Sequence, residues 1–160
     1  QEQTTDAPDH QLAVFEFEQF TATWEHRRFA ENNNEKHKIG AYFYGENGVL
    51  HIGWKDGWTF YPVNSKDAPV HGDSQLQEPD GHNIALLWGN FIHAIETGTK
   101  PVADIESAHR SSCLPMLGMI SWKTGRSIDW DADKETIMGD PEAAKLMSRV
   151  YRGPWEYPTI

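Results

Sequence analysis

The chain has a single cysteine, Cys113, among its 160 residues, so no intrachain disulfide framework can staple it. Basic residues are few. Fourteen Lys and Arg stand against 24 Asp and Glu, a formal net charge of −10, which argues against non-specific binding to nucleic-acid phosphates. No apolar run approaches the roughly 18 residues that suggest a membrane span. The sequence holds no internal repeat and no low-complexity segment. Gln1 to Asp9 is polar, with neither the basic start nor the apolar stretch of a secretory signal. What the chain does have is aromatic mass: seven Trp, seven Phe and five Tyr. Such side chains carry large burial areas and favour interfaces and sugar-stacking clefts. The length suits one domain with a real core. Cys113 falls in an apolar helical pattern and reads as an inert core thiol.

Leu12–Phe17 and Thr21–Arg27 mix aromatic or β-branched residues with alternating polar ones and read as paired strands, with Glu18-Gln19-Phe20 as their connection. Glu31–Lys38 is polar and aperiodic, an exposed loop. Ile39–Tyr44, Val49–Trp54 and Trp58–Val63 continue a meander, with turns expected at Gly45-Glu46-Asn47-Gly48, signalled by Asn47-Gly48, and at Asp56-Gly57. Asn64–Pro79 is a long polar connection. Then helices take over. Ile84, Leu87, Trp88, Phe91 and Ile95 form one apolar stripe that Gly98 should end. Asp104 caps a second helix with Cys113, Met116, Leu117 and Ile120 as its stripe, Pro115 as an interruption and Gly125 as its stop. Ser127–Trp130 reads as a short strand, and Asp140-Pro141-Glu142 opens a last helix through Met147. Strands first and helices later predict an α+β fold, a predominantly antiparallel open sheet with helices packed on one face. The other sheet face is left for another domain or a second copy, hence an expected homo-oligomer.

Several pieces, in this order, resemble the C-terminal domain of the Gfo/Idh/MocA family of oxidoreductases. They are Pro8-Asp9-His10 through Phe17 with Trp24-Glu25-His26-Arg27, then Phe43-Tyr44-Gly45-Glu46-Asn47-Gly48-Val49-Leu50, then His82 through Ile95. Ala103-Asp104-Ile105-Glu106, His109-Arg110-Ser111, Gly125-Arg126, Asp129-Trp130-Asp131 and Tyr151-Arg152-Gly153-Pro154-Trp155 complete the likeness. The resemblance covers nearly the whole chain and implies hydride transfer between NAD or NADP and a sugar, cyclitol or related alcohol. It also implies that 1–160 is the substrate and oligomerisation half, with the Rossmann half absent from this stretch. In agreement, the sequence contains no G-x-G-x-x-G pyrophosphate cradle. The cofactor is therefore expected in the parent protein and not on this fragment, which should be inactive by itself. Thr99-Lys100-Pro101 echoes the family's Glu-Lys-Pro, but its place between two late helices makes Lys100 a solvated residue. The resemblance also makes a cytoplasmic location the expectation, with export open because the stretch reads as part of a longer chain.

Substrate contact is expected at His82, which follows the long polar connection and opens a helix whose free N–H groups favour ligand oxygens. Trp24 and His26 share one face of a strand, beside Arg27, and could offer stacking and a hydrogen bond to a sugar. The plainer reading, packing for Trp24 and a carboxylate partner for Arg27, weighs more. No catalytic residue and no metal site is assigned. The eight histidines form no H-E-x-x-H, no His-x-His and no Cys-paired set. His82 and His93 lie about 16 Å apart along one helix, too far to share an ion. Two rival classes remain. Glu16, Glu18 and Glu25 are close in sequence, as an acid–base glycosidase would use, and the resemblance separately admits an NAD-dependent glycosidase of the same family. The aromatic content also suits a non-catalytic carbohydrate-binding or dimerising module.

Overall fold

A computed structural model describes residues 7–28, 37, 39–75 and 81–156, with the side chains of 81 and 82 outside that description. In chain order the elements are β1 His10–Glu16, β2 Thr21–Arg27, β3 Gly40–Gly45, β4 Gly48–Gly53, β5 Trp58–Pro62, β6 Val70–Gly72, α1 Gly81–Thr97, α2 Ile105–Thr124, β7 Asp129–Asp131, β8 Thr136–Met138 and α3 Pro141–Lys145. All strand pairing given by residue is antiparallel, and the fold is α+β as the pattern predicts. The chain divides into two compact units. One comprises the described residues within Gln1–His10 and His26–Val102, the other those within Gln11–Glu25 and Ala103–Ile160.

The first unit is built on the four-stranded meander β3-β4-β5-β6. Its register follows from one tight turn. Gly45 pairs with Gly48, so Tyr44 meets Val49, Phe43 meets Leu50 and Tyr42 meets His51. The two central turn residues are Glu46 and Asn47, within the Gly45–Gly48 turn expected from sequence. Gly48 itself opens β4 with φ 150, where a Cβ would collide with the Tyr61 carbonyl oxygen. A glycine is needed here for close strand approach as well as for its dihedral. Strand β6 lies inside the stretch read as a plain polar connection. It pairs Val70 with Phe60 and His71 with Thr59, and three residues are too few to show a period.

Helix α1 carries its expected stripe, yet little of it is covered. Ala94 is buried, while Ile84, Leu87, Trp88, Phe91 and Ile95 are all exposed, Ile95 to 67%. Trp88 and Phe91, one turn apart, meet edge to face at 5.9 Å.

The second unit has the tighter core. Asp104 accepts from the Ser107 amide at 3.1 Å and caps α2, while Gly125 closes it in the left-handed conformation. Helix α2 passes the β1–β2 hairpin at Gly118, where a Cβ would sit 3.5 Å from Ala13, Gln11 and Phe15. Those three are the inward residues of β1's alternation. Ile120, Ile137 and Ala143 form the buried cluster, flanked by Leu117, Ile128, Trp130 and Ala144. Strand β8, which brings in Ile137, was not visible in the sequence pattern because the β7–β8 hairpin is three residues a side. Asp140 caps α3 through the Ala143 amide, with Pro141 at the first turn as expected.

Arg126 pins that cap. Its Nε and Nη2 donate to the two Asp140 oxygens at 2.7 and 2.8 Å, and Nη2 also reaches Glu142 at 2.7 Å. The guanidinium pulls the Asp140 carboxyl down to about 2, helped by the Ala143 amide.

Candidate functional site

The register of the meander lays a polar row across one face of the four strands. Tyr42, His51, Thr59 and His71 stand opposite one another on β3, β4, β5 and β6. Thr59 Oγ1 and His71 Nδ1 are 2.9 Å apart, and His71 Nε2 is 3.3 Å from Asp73. The opposite face holds Phe43, Leu50, Phe60 and Val70 in one row, with Ile52 and Trp58 beside it. One face is therefore polar-aromatic and the other wholly apolar along these rows.

His51 is the centre of the polar row and is 1% exposed. His37 lies flat on it, ring centroids 3.7 Å apart and planes 11° from parallel. Tyr42 leans against the same ring at 4.7 Å. His37 Nδ1 is 2.8 Å from Asp56 Oδ2, so the carboxylate selects the tautomer with the proton on Nδ1. Gly40 makes room for the buried imidazole, since a Cβ there would collide with His51 Nε2. Nε2 of His37 and Nε2 of His51 are both enclosed and have no hydrogen-bond partner among the described residues. Burial pushes the pKa of His51 down, His37 lowers it further, and Asp56 works weakly the other way. Hydrogen bonding to His37 keeps the Asp56 carboxyl below its ordinary range.

Chemically this cluster encloses the Nε2 atoms of both imidazoles, so neither is open to a substrate. The counting that reveals it was available in sequence: starting from the Gly45/Gly48 pair, three steps put Tyr42 across from His51. His37 and Asp56 come from irregular segments, which no periodicity could have placed.

The residues singled out from sequence are divided between the two units. Trp24 is 56% exposed on β2 and belongs to the second unit, whereas His26, Arg27 and the backbone of His82 belong to the first. His26 Nε2 lies 3.3 Å from the Pro8 carbonyl, a contact with its own chain rather than an offered donor. Arg27 is half-buried. His82 is in the first turn of α1, and its side chain lies outside the described residues. Glu16, Glu18 and Glu25 are all exposed on the hairpin, and Lys100 is exposed in the link after α1.

Cys113 is half-buried rather than core. It borders an open groove of about 530 Å³ in the second unit, together with Met116, Met119, Trp130 and Met147. Its sulfur is 3.8 Å from His109 Nε2, which in turn is 2.8 Å from Glu135 Oε1. The same imidazole nitrogen serves both neighbours, so His109 cannot relay between a thiol and a carboxylate as a nucleophilic triad requires. Among the described residues no group of three His, Cys, Asp or Glu side chains is arranged to hold a metal ion, and no helix is long and apolar enough to cross a membrane.

An α+β domain with antiparallel sheets, a large uncovered apolar surface and no assembled catalytic set among the described residues is the class the structure defines. A family model described as the oxidoreductase family, C-terminal alpha/beta domain, matches residues 1–157, and the chain belongs to that Gfo/Idh/MocA family as its C-terminal domain. No curated protein and no solved structure gave a match. The family is NAD(P)-dependent, and the match concerns its C-terminal domain alone.

Proposed function

We propose that this domain supplies the substrate-facing and assembly surfaces of an NAD(P)-dependent oxidoreductase acting on a sugar, cyclitol or related alcohol. The observation that carries the reading is the family match over residues 1–157. In this reading the nucleotide sits on a Rossmann half outside the present sequence, which itself has no G-x-G-x-x-G. The substrate side is the stretch after β5 and the start of α1. There the Asn64 side chain accepts from the Lys66 amide at 3.2 Å, and the chain then runs through β6 toward Gly81. The first helical turn, Gly81 to Ile84, contains no carboxylate, so its positive end stays available to hydroxyl or carbonyl oxygens.

Uncovered apolar surface supports the assembly role. Phe43, Ile52, Trp58 and Val70 on the sheet are exposed between 41% and 56%, beside the exposed α1 stripe. A patch of such residues on one domain marks an interaction surface. The occupants in this reading are a second copy on the sheet face and the cofactor-binding half of the same protein.

Turnover of sugars and polyols with NAD and NADP by the full-length parent protein is the test of the substrate class. Calorimetry of the present chain with either nucleotide is expected to give no binding, and measurable binding would overturn the division of labour. Light scattering over a concentration series should show a dimer or larger assembly. A monomer at every concentration would withdraw the self-association.

A further inference from the structure

We propose that the groove along α2 is a self-association surface, occupied by α2 of a second copy that lies antiparallel with Met116 on the two-fold axis. It belongs to the second unit and is separate from the apolar sheet face of the first, on which it does not depend. The sequence sets the seam. His109, Cys113, Met116, Ile120 and Lys123 recur at intervals of four, three, four and three, and all five border the groove. That alternation keeps residues on one side of a helix, and it is the spacing with which two helices pack at a shallow angle. Ile120 is held in the core, whereas Met116 is 65% exposed. Trp130 of β7, with the exposed Leu146 and Met147 just beyond α3, completes the apolar lining. Met116, Met119 and Met147 give that lining unbranched side chains that adapt to an incoming one.

Charge selects the occupant and its direction. Glu135 lies 2.8 Å from His109 Nε2, so a carboxylate marks the end of the groove nearer the start of α2. Lys123, the basic residue of the last turn of α2, marks the other end. His109 and Lys123 each stand seven positions from Met116, about 10 Å along the helix axis. An antiparallel copy turned about Met116 therefore brings its Lys123 level with Glu135, and its Glu135 level with Lys123. The same turn sets its Cys113 level with Ile120. A parallel copy would set carboxylate on carboxylate and ammonium on ammonium, which is repulsive.

A two-fold contact needs a patch that complements itself. A groove with acid at one end, base at the other and an uncovered apolar centre meets that requirement, with the polar rim and apolar middle common to protein interfaces. The net charge of −10 opposes random contact between copies, and it favours association where charges of opposite sign can meet.

Disulfide trapping reads the axis directly. In a Cys113→Ser background the chain has no native thiol, and Met116→Cys places one thiol per copy at the axis. Helix axes about 8–10 Å apart bring two such thiols within bonding reach. Met116 is exposed, so its replacement opens no core cavity. With oxidised glutathione as the oxidant, Met116→Cys should give a disulfide-linked dimer on a non-reducing gel. The rate should exceed that of Ser111→Cys in the same background by about tenfold or more, since Ser111 is exposed but lies about 140° around the helix. Light scattering gives an independent reading from the charges. Lys123→Glu should raise the dissociation constant about tenfold, because the symmetry applies the reversal twice, and adding Glu135→Lys to the same chain should restore it. Equal crosslinking at 116 and 111, a double variant no tighter than Lys123→Glu, or a monomer at every concentration would overturn the interface. So would a dimer that persists in Lys123→Glu without crosslinking at 116, an outcome that leaves association through the sheet face standing.

Discussion

Helices α1 and α2 both present an apolar stripe, and they end in different surroundings. In α2 the later part of the stripe is used, while Met116 stays exposed. Gly118 lets the β1–β2 hairpin approach, Ile120 enters the cluster with Ile137 and Ala143, and Asp104 closes the first turn. In α1 the equivalent residues, from Ile84 to Ile95, are nearly all half-exposed or more. The difference teaches that an amphipathic period states how a helix will be used without stating by what. Helix α2 finds its cover within its own unit, and α1 carries a surface that the proposed assembly would bury. Each such side chain contributes about 1.5–3 kcal/mol when it passes from water to a packed interior. The stripe of α1 is therefore a reserve of interaction energy that the described residues leave unused.

That contrast can be broken most sharply in the core of the second unit. Ile137→Ala should lower unfolding stability by about 2–4 kcal/mol, read as a fall in the urea midpoint, because Ile137 is 5% exposed beside Ile120 and Ala143. In the meander, Gly48→Ala is expected to cost about 2–3 kcal/mol. It meets both a φ of 150 and the Tyr61 carbonyl, and strain of this kind is of that order. Acid titration sharpens the comparison on the α3 side. The folded Asp140 pKa of about 2 lies below its ordinary value of 3.8, so its contribution is present above the latter and fades as pH falls toward about 2. Urea midpoints measured across that window should show an acid limb that Asp140→Asn flattens, and an unchanged limb would remove Arg126–Asp140 from the account. The smallest effect belongs to α1. Ile95→Ala should change unfolding stability by no more than about 0.5 kcal/mol, since the residue is 67% exposed. The same substitution should weaken self-association in the light-scattering series. A large loss of stability in a strictly monomeric chain would show that the stripe is covered within its own unit after all.

Much of the fold was legible in sequence, for reasons that can be named. The meander strands announce themselves through alternation between Gly-containing turns, the two long helices through their stripes, and α2 and α3 through Asp104, Gly125 and Asp140-Pro141. The elements that escaped, β6 and β8, are three residues long, below the length at which a period of two can be told from chance. The Gly45–Gly48 turn fell where expected, yet Gly48 itself opens β4 and is needed there for close strand approach.

The candidate site divides along the same line. Tyr42 opposite His51 was countable from the hairpin, yet the histidines weighed in sequence were His82, His93 and His26, chosen for helix ends and strand faces. Neither His26 nor His93 is among the residues stacked on His51, and the side chain of His82 lies outside the described residues. Cys113, read as a core thiol, lies half-buried at a groove rim because it stands two turns before Ile120 on the same helix face, outside the cluster that Ile120 forms with Ile137.

By itself, the sequence determined the family, the α+β class and the lack of a nucleotide cradle, because these reside in local motifs and in periods along one chain. The tertiary structure alone decided that His37 closes over His51, that Asp56 sets the tautomer, and that α2 is covered where α1 is not. Those outcomes depend on distances between segments far apart in the chain. Such distances are set by packing and strand register, which no single stretch of residues encodes.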